Sequence, residues 1–546
     1  MASVMDEHGK FSVLLNGQRD VEEQLNEFKK ACNAHDKHNR KRCKRRYYNL
    51  ALMARMACNT SCDEIRNLIQ NGTRTFLLDA VRNRSDEIEK MASLITQTVE
   101  EIQTQDPHNK LVVGVAIEIN GDCCRIGRLR NNCSIFVEIG SNMTLTSNSS
   151  YRYSGFNEIC YVINLQHYLP TLKLGDEIKI GGEVKGRIVK ILKTNISILI
   201  DEAGIINSYD YIELPEQCKF LNLQKATNVF SHDLEMAAGL QADFLVIPQI
   251  RCKTVLKMLR HYIRDNFKFQ IIGTIDLEYV SRKMLDIMGI IKLLDFLWLT
   301  NLFDIPQALH TYICQDVIPI AKCWKKPLIA TVPLKRCSDF RVFENHDFLW
   351  KIDCIFMEKS EWCNKYPLIV KKLLPIKNYR RGIVQNISPL RDDLSSYQSA
   401  VNFVIRTIST IECQAIFLHT KCQVTAAALG RMEIYCPVFV IISMEDDDGE
   451  EEMLHHIQMA KNLNLRRNLN TIIYNRTMNP CEYKPIDYGI EYARYCGAIE
   501  MGDFIITIDL DKYGGEDAVQ LGVGEDVVIM RAYYVPPKSV GEKLIC

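Results

Sequence analysis

Thr300 closes the apolar run Phe296-Leu297-Trp298-Leu299, at a place where an enzyme built of such runs would use a carboxylate. Other runs do end in acids. Asp79 closes Thr75–Asp79, Glu118 closes Leu111–Glu118, and Asp276 follows Phe269–Ile275. Carboxylates at the ends of buried strands can hold hard cations, whose ligands are oxygens. A threonine hydroxyl is a poor substitute for such a ligand. Each acid also has a plainer reading, a polar strand end facing water. A further acidic run, Glu445-Asp446-Asp447-Asp448-Gly449-Glu450-Glu451-Glu452, falls between a strand and a helix. One reading is a calcium or magnesium site. The other is a solvated loop that leads acids into a first helical turn, where the helix dipole favours them.

The chain has 21 cysteines, but they are scattered, and no pair of CxxC motifs marks a zinc site. Met1 to Asp20 lacks the apolar core of a secretory signal, so reduced cysteines in a cytoplasmic protein are expected. With 67 basic and 67 acidic residues, the balance gives no global pull toward nucleic acid or a membrane. No apolar stretch approaches the roughly 18 residues of a membrane span. A basic cluster, Arg40-Lys41-Arg42-Cys43-Lys44-Arg45-Arg46, ends a polar arm over 1–45. It reads as a solvated tail, or as a localisation or nucleic-acid patch, although no aromatic residue is interleaved for stacking. Leu521-Gly522-Val523-Gly524 lacks the third glycine of a dinucleotide fingerprint.

These residues need elements to hold them. At 546 residues, 47% of them hydrophobic, the chain should form about two to four domains. Eight short apolar runs alternate with stretches of helical length: Tyr48–Met53, Thr75–Asp79, Leu111–Glu118, Phe244–Pro248, Phe269–Ile275, Asp295–Leu299, Pro327–Val332 and Asp353–Met357. From the fourth onward they recur at roughly 25 to 32 residues, the length of one βα unit. Asp86–Glu101 has the apolar spacing of a helix, and Val255–Tyr262 and Val280–Met288 follow it. Eight such units predict a closed (β/α)₈ barrel over 46–127 and 213–385, whose strand ends share one mouth. The interval 128–212 holds short alternating segments such as Ser134–Ile139 and Ile196–Ile200, with turns at Gly175-Asp176 and Gly181-Gly182. It reads as a small β domain inserted after the third strand. A helix over Ala400–Ile411 and strands at Ala415–His419, Val438–Ser443, Thr471–Tyr474, Phe504–Ile508 and Val527–Met530 predict a C-terminal α/β domain over 386–546.

That layout resembles the pyruvate kinase family, and local sequence supports the resemblance over about 45–546. Asp353-Cys354-Ile355-Phe356-Met357 with Tyr366-Pro367 is similar to the barrel segment that ends in the family's Ser-Gly-Glu-Thr loop. Lys326-Pro327-Leu328-Ile329-Ala330-Thr331 resembles its Lys-Pro-Val-Ile strand, and Gln270–Asp276 its Ile-Ser-Lys-Ile-Glu-Asn strand. From there an ungapped match reaches Asp304-Ile305-Pro306, where the family has Glu-Ile-Pro. Asn120-Gly121 to Arg125-Ile126-Gly127 is similar to Lys-Gly-Pro-Glu-Ile-Arg-Thr-Gly.

The resemblance implies phosphoryl transfer from phosphoenolpyruvate to ADP, with magnesium and potassium ions, in a glycolytic homotetramer. It also implies losses. Thr274 replaces the catalytic lysine, Asp276 replaces a magnesium glutamate, and Trp298-Leu299-Thr300 replaces Arg-Gly-Asp, removing the second magnesium carboxylate. Leu77 replaces a substrate arginine, and Glu358-Lys359-Ser360-Glu361 stands for the Ser-Gly-Glu-Thr loop. The proton-transfer threonine falls at Val332, with Thr331 adjacent. Asp79 and Glu118 keep acids at the potassium positions, Val81 does not suit that ion, and Arg125 matches a nucleotide-site arginine. Gly181-Gly182 replaces an acidic pair near the nucleotide. In His419–Thr425, the residues Thr420, Lys421 and Thr425 match an effector loop whose glycine is here Gln423. Losing one oxyanion-type donor alone costs about 10²–10³ in rate. Two functions follow: an impaired pyruvate kinase with Mg²⁺ and K⁺ weakly held or lost, or a non-catalytic paralogue acting as a scaffold or as a subunit that joins active members.

Overall fold

The computed structural model describes residues 4–5, 11–15, 51–105, 112–121, 123–215, 223–250, 253–275, 284–300, 302, 311–331, 351–358, 401, 404, 407–408, 413–421, 423–431, 434, 436–444, 449–475, 484–510 and 528–535. Eight parallel strands close into a barrel: β1 (Ala51–Arg55), β2 (Thr73–Asp79), β3 (Gly114–Glu118), β4 (Phe244–Ile247), β5 (Gln270–Ile275), β6 (Phe296–Leu299), β7 (Leu328–Thr331) and β8 (Cys354–Met357). Each strand pairs with its sequence neighbours, and β8 pairs with β1 to close the ring.

The runs are continuously apolar because both strand faces are buried. Alternate residues point inward, where Met53, Leu77, Ala116, Phe244, Ile272, Phe296, Trp298, Ile329 and Phe356 form one cluster. Phe244 and Phe296 meet edge to face at 5.5 Å in that interior. The intervening residues, such as Leu52, Leu78, Ile117, Leu245, Leu297 and Ile355, pack in an outer cluster with helix residues Ile88, Ile95, Leu256 and Ile290. Helix Cys62–Gln70 starts at a capping box of Ser61 and Glu64, and the amphipathic Ser85–Gln105 follows β2.

Between β3 and β4 the chain forms a second closed barrel, from Cys124–Ile126, Asn142–Thr146, Ile159–Ile163, Glu177–Ile180, Val184–Ile191, Asn195–Glu202 and Tyr211–Glu213. Its core is built from alternating residues, among them Ile178, Ile188, Ile196, Ile198 and Ile200. Gly181 and Gly182 turn its hairpin with φ of +62° and +83°. A Cβ on Gly181 would lie 2.6 Å from Asp210 Oδ2, so the turn geometry itself calls for glycine.

After the large barrel, β9 (Ala415–His419), β10 (Val438–Met444), β11 (Leu469–Asn475) and β12 (Phe504–Asp509) form a parallel sheet, with β13 (Val528–Tyr534) antiparallel beside β12. The first 45 residues are not wholly an arm. Phe11–Leu15 pairs antiparallel with β13, from Phe11 opposite Ala532 to Leu15 opposite Val528. Five residues rich in apolar side chains cover a sheet edge that would otherwise stay unpaired. Helix Glu450–Leu463 carries Glu450, Glu451 and Glu452 in its first turn, as the dipole reading of the acidic run requires; 445–448 lie outside the described residues. So does the basic cluster at 40–46. No disulfide forms among the described cysteines. No described helix is long and apolar enough to cross a membrane.

Candidate active site at the barrel mouth

In-out alternation decides which side chains reach the mouth. Counting up from the inward residues Met53, Leu77, Ala116, Ile272, Trp298 and Ile329 places Arg55, Asp79, Glu118, Thr274, Thr300 and Thr331 together at the carboxyl ends of their strands. Sequence reading had named all of these except Arg55.

Arg55 reorganises the site. Its guanidinium bridges both acids: Nη1 donates to Asp79 Oδ2, and Nη2 donates to Glu118 Oε2 at 2.9 Å. Arg125, buried at 1% exposure, donates from Nη2 to Glu118 Oε1 at 3.0 Å. Arg82 Nε lies 3.2 Å from Asp79 Oδ2, and the backbone N–H groups of Val81 and Arg82 donate to Asp79 Oδ1 at 2.9 and 3.0 Å. All four carboxylate oxygens are therefore engaged. Below the network, Arg55 lies 5.5 Å from the Phe356 ring centroid, and the Arg125 guanidinium stacks on Tyr211 at 4.2 Å.

The charges set the protonation. Burial works to raise the Glu118 carboxyl, but the Arg55 and Arg125 guanidinium groups outweigh it and hold it down to about 2. Burial, and then the Glu118 charge, push Asp79 up, against Arg55, Arg82 and Arg125. Burial also opposes the Arg55 charge, and Glu118 and Asp79 more than offset it, raising that group further. Tyr211 is pushed up by burial.

The pair Asp79 and Glu118 does not fit a potassium ion as it stands. Two acids face three guanidinium groups, and no carboxylate oxygen is left without a donor. The two buried Nε atoms of Arg55 and Arg125, by contrast, have no hydrogen-bond partner.

The hydroxyls are spent inside the protein. Thr274 Oγ1 accepts from the Gln249 backbone N–H at 2.7 Å. Thr300 Oγ1 donates to the Ile275 carbonyl at 3.3 Å. Thr331 Oγ1 accepts from the Trp298 indole at 2.8 Å, and that indole tilts against Phe356 with centroids 4.4 Å apart. Trp298 is 3% exposed, so an apolar ring fills the barrel centre beneath the mouth. Leu77, where the resemblance implies an arginine, is fully buried in the same interior. Asp276 and Val332 lie outside the described residues. Among the described residues, no three His, Cys, Asp or Glu side chains gather as metal ligands.

Sequence reading missed three groups here: Arg55, Arg82 and the Trp298–Thr331 bond. The one available signal for Arg55 was a cation two residues beyond the first apolar run, on the same parity as the acids at the ends of its neighbours.

In the C-terminal sheet, Thr420 and Thr425 are buried and Lys421 is half-buried. The Thr420 backbone N–H donates to Ile441 O at 3.1 Å, and Thr425 lies in helix Gln423–Arg431. Beside them runs a serine–histidine–aspartate chain. His419 Nε2 is 2.6 Å from Ser443 Oγ, and its Nδ1 is 3.0 Å from Asp509 Oδ1. The connectivity is that of a nucleophilic triad. Ser443, however, sits inside β10, in register with Tyr474 of β11, and is 6% exposed. Ser443 is the next-to-last residue of that strand, held in its ladder and closed off from solvent, so its hydroxyl is not presented to a substrate. The chain ties the ends of three strands together instead.

No protein-family model matches the chain, and no curated protein is significantly similar to it.

Proposed function

We propose that the chain is a pyruvate-kinase-like protein that has kept its barrel and given up efficient phosphoryl transfer from phosphoenolpyruvate to ADP, and that it serves as a scaffold or regulatory subunit beside active members of that family. The observation that carries this reading is the Arg55 bridge between Asp79 and Glu118. Transfer of a phosphoryl group needs cations facing the transferring oxygens, with metal ions held on rigid carboxylates. Here the two buried acids are turned onto arginines, Thr274 offers no charge, and Thr300 gives its hydroxyl to a backbone carbonyl. The β barrel after the third strand and the C-terminal sheet are part of the same reading, since they follow that family's layout. A subunit role needs the fold and its surfaces but no metal at the mouth.

Steady-state turnover of phosphoenolpyruvate and ADP, with magnesium and potassium, tests the proposal. The expected rate lies below that of an active family member by at least about 10²–10³, the cost of removing one oxyanion-type donor. Turnover comparable to an active member, abolished by Asp276→Ala, would establish the enzyme reading in its place. Light scattering on the chain alone and mixed with an active member reads the subunit role directly. A mixture that shows only the separate species counts against it.

A further inference from the structure

We infer that Arg55 is a built-in cation that takes the place of a monovalent metal ion at the barrel mouth. This inference rests on the pyruvate-kinase-like reading of the mouth, which puts a potassium ion at these two acids, and holds whether or not turnover survives. A buried carboxylate pair from adjacent strands must be neutralised, because an unpaired buried charge is strongly disfavoured. Asp79 and Glu118 are opposite one another in the β2–β3 register and are 1% and 5% exposed. A monovalent cation between them is the solution for a protein with free ligand oxygens. In this chain the charge is supplied covalently, by Arg125 and Arg82 at the flanks and by Arg55 of β1 between the two acids. Arg55 stands at the carboxyl end of β1, next to β2, and its fork reaches one acid with each terminal nitrogen.

Three features argue for replacement rather than an incidental surface pair. The Arg55 side chain is 14% exposed. Its two terminal nitrogens go to two different acids, where a surface pair would use one. The remaining oxygens are closed by Arg125, Arg82 and two backbone N–H groups. The consequence is independence from potassium, written into the first strand. Removing the guanidinium should leave Glu118 Oε2 without its donor and open the space between the two acids to a free ion.

The test is thermal unfolding in potassium chloride against tetramethylammonium chloride at equal ionic strength, the second cation being too large to enter. The wild type should melt identically in both salts. Arg55→Ala should melt lower and recover about 5 °C or more in potassium, saturably with concentration. Arg55→Lys, which keeps the charge, should be indifferent to the salt like the wild type. A potassium-specific shift in the wild type, or equal melting of Arg55→Ala in both salts, would overturn the inference. If Arg55→Ala does not fold, Arg55→Gln takes its place. The wild type is then also titrated with thallium(I), a potassium surrogate; one bound ion per chain overturns the inference, and none supports it.

Discussion

Glu118 is held between two guanidinium groups, and acid should reveal how strongly. Its folded-state group titrates at about 2, against an ordinary value of 4.5. A depressed carboxyl contributes stability that is fully present above its unfolded value and is lost as pH falls toward the folded one. The window therefore runs from about pH 4.5 down to about pH 2. The amount is about 3 kcal/mol, at 1.36 kcal/mol for each pH unit of displacement. Urea midpoints measured across that window should fall steeply for the wild type. Glu118→Gln should be less stable at neutral pH by about 3–5 kcal/mol, because buried Arg125 loses its acid and Arg55 keeps only Asp79. Its midpoint should also fall less across the acid window. A variant with the wild-type acid slope would show that other carboxyls carry the loss.

At the scale of elements, the strand ladders explain what could be read in the amino-acid sequence and what could not. The eight barrel strands were legible because burial on both faces leaves short unbroken apolar runs at βα intervals. Each of the eight runs overlaps a strand of the closed ring. Asp79 and Glu118 were legible as run ends. Arg55 was not, because its partners lie 24 and 63 residues away and only barrel closure and β-strand parity bring them together. Phe11–Leu15 was hidden for a different reason: five strand-forming residues vanish in the average of a polar stretch. The His419 chain was also invisible, since Ser443 and Asp509 stand 24 and 90 residues from it. Three parallel strand ends depend on that imidazole. His419→Phe should cost about 1–3 kcal/mol, the penalty of taking the imidazole from buried Ser443, read as a lower urea midpoint. An unchanged midpoint would mean that Ser443 and Asp509 find other partners. A serine-directed phosphonate should leave Ser443 unlabelled, in keeping with a tie rather than a nucleophile.

The whole molecule is joined at the end of the barrel opposite the mouth. Leu465, just past helix Glu450–Leu463, is fully buried and belongs to the barrel-interior cluster, so the C-terminal unit closes the barrel floor. Asn464 donates to the Val112 carbonyl at 3.2 Å while its own carbonyl accepts from the Thr471 backbone and hydroxyl. Lys461 reaches Asp243 at 2.8 Å, and Asp243 in turn accepts from the Val115 N–H at the start of β3. An apolar plug, a buried amide and an ion pair on one short segment should make the barrel and the C-terminal sheet unfold as a unit. Leu465→Ala should cost about 2–5 kcal/mol through the void left in the floor. Lys461→Ala should leave the Asp243 carboxylate buried without its cation, for a loss of comparable size. Their combination should separate one calorimetric transition into two, as the coupling between the units falls below the stability of each. Persistence of a single transition in the double variant would place the coupling elsewhere in the interface. The same plug bears on the mouth. A floor fixed by the C-terminal unit leaves the strands little freedom to part, so the charges around Arg55 are held in place from below as well as by their own bonds.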